Sequence, residues 1–497
     1  CIRDRYNKIN TARLTFLPVC QNVTSRAKHT QNQGKELSIL AYSLTFLYFR
    51  IVDCIIMVEY FIVENFLSYR DKTELSFLAS KKDSVLPESL ASQWYKEIDD
   101  KRLLRLLIGV GLNGTGKTKI IQGLQYLCKM ATSKPENPND GPDYHPFLLD
   151  DFSKNKPTVM ELSYYLNGSN YIYSLKVSSK RIEEEELRLQ GSRGQRVFYR
   201  CYDHDKDTVQ VSFGIACDLN KSDQRDLELN TINNATVLSI FGSLNLESKV
   251  LRANYDYLHN RISFVRPSDQ TLAEKLSTGN EEYDSRMKKL LLRLLHDINS
   301  NIVDYHVDNT SISIDEMMKG GVPDFMIDVL KNSCPSGVIE KKVLRFIHST
   351  SQGTRSLDSS LESFGTLNIV RLMVVFYDIV LGKKCTCIDE LAAGIHSLAL
   401  EFILKMYLTL SDENQVVLAT HDLSLLNMKM LRRDAIRVFE KNEDGVTSVE
   451  RHKYVHNTVN FYKRYMTEIR KDMNKYVDDD NLFKEYYSLF SSWKVSK

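Results

Sequence analysis

Apolar and polar positions follow three rhythms along the chain. From Met57 the run Val58-Glu59-Tyr60-Phe61-Ile62-Val63-Glu64-Asn65-Phe66 reads as an apolar strand, and Tyr69–Phe77 as a second strand after a polar turn. Leu103–Val110 is a continuous apolar run suited to a buried strand, followed by a glycine-rich loop and then Lys119–Met130 with helical three-and-four spacing. Val159–Leu166 and Tyr171–Val177 flank Asn167-Gly168, a pair that suits a two-residue hairpin turn because both central positions of that turn need positive φ. Arg181–Leu189, Val197–Cys201 and Val209–Phe213 extend the hairpin into an antiparallel meander.

The middle, about 220–345, reads as helical: Met287, Leu290, Leu291, Leu294, Leu295 and Ile298 share one face of a segment opening with Glu281-Glu282. After Gly365 a helical run to Leu381 leads to the strand Cys385–Ile388, and a helix over Ser397–Leu410 leads to the strand Val416–Ala419. That alternation predicts a parallel sheet. The sequence shows no internal repeat and no heptad array long enough for a coiled-coil arm.

The chain has 497 residues, room for roughly three domains. Its 42% hydrophobic and 26% charged residues are those of an ordinary globular protein and exclude a disordered or fibrous class. With 66 basic and 64 acidic residues the formal charge of +2 supplies no global field to recruit nucleic acid or an anionic membrane, so any such partner must meet a local patch. Nine cysteines without a CxxC pair argue against a disulfide framework or zinc ribbon and make a cytoplasmic location the expectation. Cys385 and Cys387, two apart in an apolar strand, read as core packing.

The apolar run Leu37–Ile56 is interrupted by Arg50 and Asp53, too polar for a bilayer span and a poor match to a signal peptide, so no membrane partner is expected. Met57 is the expected start, with residues 1–56 as upstream sequence read in frame or as an extension.

The chemistry concentrates in four places. Gly111-Leu112-Asn113-Gly114-Thr115-Gly116-Lys117-Thr118 fits G-x-x-x-x-G-K-[ST] without a mismatch. Successive backbone N–H groups of such a loop cradle phosphate oxygens, the following helix N-terminus adds its positive end, and Lys117 is expected on the β and γ phosphates with the Thr118 hydroxyl on Mg²⁺. Cys385-Thr386-Cys387-Ile388-Asp389-Glu390 is an apolar strand ending in two carboxylates: Asp389 to hold Mg²⁺ through its water shell, and Glu390 to orient and deprotonate the attacking water. Gln415–Asp422 is a further buried strand ending at His421, which is expected to sense the γ-phosphate. Glu362-Ser363-Phe364-Gly365-Thr366 opens the helix before the Asp389 strand, and Ser363 with Gly365 at that N-terminus would make an anion site.

This order of motifs resembles the heads of ABC ATPases, in which the Ser-x-Gly signature of one subunit covers the γ-phosphate on the other subunit's P-loop. More narrowly, Phe61–Tyr69, Pro146-Phe147-Leu148-Leu149, the hairpin after Val159 and Glu362–Thr366 resemble the stand-alone AAA/ABC-type ATPases of the abortive-infection AbiL kind, similar to the heads of OLD, SMC and RecF-like proteins, over roughly Met57 to Arg451. The resemblance implies an α/β P-loop NTPase fold of ABC type with an antiparallel β-subdomain and a helical insert. It divides the chain into an ATPase lobe at 57–218, a helical insert at 219–345, a second ATPase lobe at 346–450 and a helical tail at 451–497. It further implies ATP hydrolysis with Mg²⁺, a head-to-head homodimer, a neighbouring RloB-type, Toprim-like effector, and a role in bacterial anti-phage defence.

The chain departs from the pattern in two places. No glutamine stands in the inter-lobe stretch near Asp143–Leu149, and Leu391-Ala392-Ala393-Gly394-Ile395-His396 lacks the acidic residue of a D-loop. His396 is expected to be structural. In the tail, Tyr462, Lys463, Arg464 and Tyr465 read as a solvated helical face, with partner or nucleic-acid contact as the alternative. Asp478-Asp479-Asp480 lacks the upstream glutamate motif of a metal-dependent nuclease. A DNA-binding repair or clamp ATPase of RecF type is the second functional expectation, and a transporter motor the third.

Overall fold

A computed structural model describes residues 56–80, 86–191, 195–266, 271–298, 300–313, 337–390, 395–411, 413–428, 430–451 and 467. The expected upstream segment up to residue 55, the 391–394 part of the D-loop position, and the tail features at 462–465 and 478–480 lie outside the described residues.

The chain opens with β1 (Met57–Glu64) and β2 (Thr73–Ser76), then a hairpin of β3 (Tyr95–Ile98) and β4 (Lys101–Leu104), then β5 (Leu106–Val110) and helix α1 (Lys117–Thr132). The expected second strand from Tyr69 begins only at Thr73; Tyr69 itself closes a tight turn over Asn65–Tyr69, with Asn65 at φ 51° and Leu67 at φ 52°. The expected strand Leu103–Val110 is divided at Arg105. That side chain is 4% exposed, and its guanidinium donates to the carbonyls of Gln93 (2.7 Å) and Leu408 (3.0 Å). Leu103 and Leu104 therefore belong to the β3–β4 hairpin, and the rest to the central sheet.

Strands β6 (Thr158–Leu166), β7 (Ser169–Val177), β8 (Ile182–Leu189), β9 (Arg196–Asp203) and β10 (Thr208–Phe213) form the expected meander. With β1 and β2 they make a seven-stranded sheet in the order β10-β9-β8-β7-β6-β1-β2. At the first turn Asn167 (φ 54°) and Gly168 (φ 76°) adopt the left-handed pair that an Asn-Gly hairpin requires.

The stretch expected to be wholly helical is mixed. Helices α2 (Lys221–Asn230), α3 (Val237–Ser243) and α4 (Lys249–Asn260) precede a short strand, β11 (Ile262–Val265); α5 (Leu272–Leu276) and α6 (Glu281–Asp297) follow. Then come β12 (Ile302–Ser313), β13 (Val338–Thr350) and β14 (Gly353–Asp358), a three-stranded antiparallel sheet. This corrects the helical expectation for 302–345. The apolar stripe of Met287, Leu291, Leu294 and Leu295 does form the buried face of α6, but Val303-Asp304-Tyr305-His306-Val307-Asp308 beyond it alternates with the period of a strand.

Helix α7 (Phe364–Leu381) then leads to β15 (Cys385–Asp389), α8 (Ser397–Leu410), β16 (Gln415–Thr420), β17 (Ile436–Lys441) and β18 (Thr447–Arg451). The central sheet runs β11-β15-β16-β5-β17-β18, with every neighbouring pair parallel except β17–β18. Cys385 and Cys387 are buried in it, as core packing predicts. The fold is thus α/β, with a parallel sheet beside an antiparallel one. Helix α7 is long and apolar enough to cross a bilayer by composition alone; here Val370, Leu372, Met373 and Val374 pack into the same core as β5 and β15.

Candidate functional site

Three strands of the central sheet end together. Asp389 on β15 lies opposite Ala419 on β16, and Ala419 and Thr420 lie opposite Gly109 and Val110 on β5. Because the strands are parallel, the next residues, Glu390, His421 and Gly111, leave the sheet on one edge. This carboxyl-end crevice is where open α/β sheets hold their ligands.

The loop leaving β5 requires glycine for two physical reasons. At Gly111 and Gly116 there is no room: a Cβ would stand 2.5 Å from Phe439 O and 2.5 Å from Thr447 Oγ1, respectively. At Gly114 the space is open but φ is +81°, and Gly116 combines its crowding with φ +99°. Thr115 is buried and turns its hydroxyl to Leu112 O at 2.9 Å, while Leu112, Asn113 and Gly114 are exposed.

The turn after β1 braces this loop from behind. Tyr69 donates its phenol to Gly116 O at 2.9 Å, and Thr447 Oγ1 donates to Ser68 Oγ at 2.8 Å. Asn65 ties in the inter-lobe stretch: its side-chain amide donates to Ser153 O (3.0 Å) and Lys156 O (2.6 Å), and its Oδ1 accepts from Phe147 N (3.0 Å). The Phe61–Tyr69 and Pro146–Leu149 stretches singled out in the sequence thus meet. Leu148 and Leu149 are left exposed.

Lys117 folds back into the loop, donating from Nζ to Gly111 O (2.7 Å) and Leu112 O (2.8 Å). Partial burial lowers its pKa, against the pull of the Asp389 and Glu390 carboxylates. Thr118 donates its hydroxyl to Asp389 Oδ1 at 3.1 Å, and Arg266, just past β11, stands 3.5 Å from Asp389 Oδ2. Burial raises the Asp389 pKa, opposed by the Thr118 hydrogen bond and the Arg266 charge. Among the described residues no group of three or more His, Cys, Asp and Glu side chains gathers as a metal site. One hydroxyl and one carboxylate are nevertheless hard oxygen donors that fit Mg²⁺, which commonly takes its remaining ligands from water and substrate phosphates.

Glu390 is exposed and sits at φ +59°, with its N–H on Ala419 O at 3.1 Å. This left-handed residue turns the chain sharply at the strand end, so the adjacent carboxylates of Asp389 and Glu390 do not share an environment. His421 is likewise exposed, one residue beyond Thr420.

A family model described as "AAA domain, putative AbiEii toxin, Type IV TA system" matches residues 110–427. The chain belongs to this AAA family. Among solved structures it is similar to the SMC head domain from Thermotoga maritima (11% identity, TM-score 0.36, covering 80% of this chain and 99% of that one). It is also similar to an SMC head bound to the C-terminal winged-helix domain of ScpA (13%, 0.36, 79% and 97%) and to an SMC head with an extended coiled coil derived from Pyrococcus furiosus (11%, 0.33, 84% and 100%). No curated protein matches the sequence.

Within this AAA chain Ser363 occupies a different setting from the loop. It is the N-cap of α7, accepting from Thr366 N at 3.0 Å and sharing a 2.8 Å hydrogen bond with Thr366 Oγ1. The neighbouring Leu361 and Phe364 are 71% and 62% exposed, large apolar side chains presented to solvent around a helix start. Gly365 follows in the first turn. His396, expected to be structural, caps α8 by accepting from Leu398 N at 3.3 Å. Arg266 was not foreseen from sequence. Its signal was faint: the four-residue run Ile262–Val265 is too short to tell a strand from part of a helix.

Proposed function

We propose that this P-loop protein of the AAA family binds ATP with Mg²⁺ and hydrolyses it between two copies paired head to head. In each composite site the loop Gly111–Thr118, with Asn113, Gly114, Thr115 and Gly116 in the cradle, holds the triphosphate of one copy, and Ser363 and Gly365 of the other cover the γ-phosphate. One observation carries the reading: Lys117, Thr118, Asp389, Glu390 and His421 converge on one sheet edge, while Ser363 caps an exposed helix start rimmed by apolar Leu361 and Phe364.

In this reading Lys117 exchanges its loop carbonyls for phosphate oxygens. Thr118 and Asp389 hold the metal, which supplies charge neutralisation at the phosphates. Exposed Glu390 accepts the proton of the attacking water, and His421 contacts the γ-phosphate. Such an ATPase cycle would gate a partner effector in a cytoplasmic anti-phage defence system, in keeping with the toxin–antitoxin wording of the family's description.

The test is light scattering and phosphate release on the full chain. ATP with Mg²⁺ should convert monomer to dimer, and Lys117→Ala should abolish both binding and turnover. A protein that stays monomeric at saturating ATP and Mg²⁺ overturns the reading, and salt-dependent binding of duplex DNA by the isolated protein would favour a clamp instead.

A further inference from the structure

The residue before Ser363 is not free to follow it. Glu362 carries a carboxylate whose side chain is 9% exposed, and His348 of β13, 12% exposed, places Nε2 at 2.6 Å from Glu362 Oε1. The approach is close but lacks the alignment of a hydrogen bond, so the ring and the carboxylate are held against each other by packing between β13 and the residue before α7. The other ring nitrogen, Nδ1, is 2.9 Å from Asn301 Oδ1 at the start of β12, and Ser349 N donates to Asn301 O at 2.8 Å. The base of the three-stranded sheet is thereby fastened to the first residue outside the α7 cap.

The helices that precede this sheet grip the far end of α7. Lys275 of α5 donates to Asp378 Oδ2 at 3.0 Å, and Tyr283 of α6 donates to Asp378 Oδ1. Lys288 of α6 in turn reaches Asp304 Oδ1 (2.7 Å) and Tyr305 O (2.9 Å) on β12. Helix α7, α6 and the sheet thus form a closed ring of contacts, with Glu362 and Asp378 as the two points held on or beside α7. The P-loop is braced separately, by Ser68, Tyr69 and Thr447.

We propose that His348 is a positioning residue for Ser363. Through Glu362 it sets the α7 cap against the three-stranded sheet, so that this sheet, rather than the P-loop, governs how readily two copies pair over ATP. This rests on the composite-site reading above. A load or ligand on the sheet would act on pairing without touching the nucleotide cradle, because the cradle and the cap are held by different elements.

The experiment compares full-length wild type with His348→Gln, Glu362→Gln and the double variant. Affinity for a fluorescent ATP analogue is measured on dilute protein, and turnover at saturating ATP is followed against protein concentration. Each single variant should bind the analogue within about twofold of wild type yet need about five- to tenfold more protein for half-maximal turnover, with the double variant no worse than the worse single one. An unshifted concentration dependence, equal losses in binding and turnover, or additive losses in the double variant would each overturn the proposal. Should His348→Gln fail to fold, Glu362→Gln, which keeps side-chain shape but removes the carboxylate, decides the matter in the same assays. Ser363→Arg separates the two levels: if it turns over normally, the composite site itself fails and this inference with it. If it is inactive while His348→Gln matches wild type, only the positioning role fails.

Discussion

Thr118 Oγ1 lies 3.1 Å from Asp389 Oδ1, although 271 residues separate them along the chain. The hydroxyl sits in the first turn of α1 and the carboxylate at the last position of β15, so the contact joins the two halves of the nucleotide site. Asp389→Asn keeps the shape and removes the charge. It should weaken Mg²⁺-dependent ATP binding, about tenfold or more, while binding measured in EDTA changes little. Titration of a fluorescent nucleotide with and without Mg²⁺ checks this; equal losses in both media would mean that Asp389 acts on the fold and not on the metal.

Glu390 presents a different case, since its exposed side chain leaves the sheet through a left-handed residue. Glu390→Gln preserves size but removes the charge and cannot take a proton. Turnover should fall about a hundredfold or more, with ATP binding intact and the dimer accumulating. Size-exclusion chromatography with ATP and Mg²⁺ would show the trapped species, and a variant that hydrolyses normally would remove Glu390 from the chemistry.

Much of this site was legible because its signals are local. The P-loop glycines answer to φ and to crowding at single positions, and Asn167-Gly168 dictates its own turn, so both can be read without the rest of the fold. The alternation of α7, β15, α8 and β16 was legible through its length and periodicity. What escaped depends on contacts distant in sequence. Arg105 splits an apolar run by binding the Leu408 carbonyl, β11 is recognisable only by its pairing with β15, and the β12–β14 sheet was masked by the strong helical stripe of α6 that precedes it. Arg266 reaches Asp389 because β11 pairs with β15 in a register that sets Val265 opposite Ile388.

The loop glycines should separate by mechanism. Gly114→Ala meets open space and must only hold a left-handed backbone, a cost of about 1–2 kcal/mol. Gly116→Ala adds a Cβ 2.5 Å from Thr447 Oγ1 and 3.0 Å from Ser68 Oγ, so it must also push apart the brace behind the loop. Denaturant unfolding should therefore rank Gly116→Ala as the more damaging, with nucleotide binding lost alongside. Equal destabilisation by the two would mean that the brace yields freely.

A pH effect should arise in the antiparallel sheet. Glu185 on β8 is fully buried, accepts from Val237 N at 2.6 Å and from the Tyr173 phenol at 3.0 Å, and lies near the buried Arg200. Burial pushes its carboxyl from an ordinary 4.5 up to about 7, against the opposing pull of those donors and of the guanidinium. Between these values the folded protein keeps a proton that the unfolded chain has released. The stabilisation is therefore complete below about pH 4.5 and is lost as pH rises through about 7, by up to about 1.4 kcal/mol per pH unit. Unfolding wild type and Glu185→Gln in parallel across this range isolates the effect, because the glutamine cannot titrate. The stability of wild type relative to the variant should decline steadily with rising pH and level off above neutrality. A difference that instead grows with pH would mean that Glu185 is held as a carboxylate by Arg200 and the α3 N-terminus, reversing the balance between burial and charge pairing at this position.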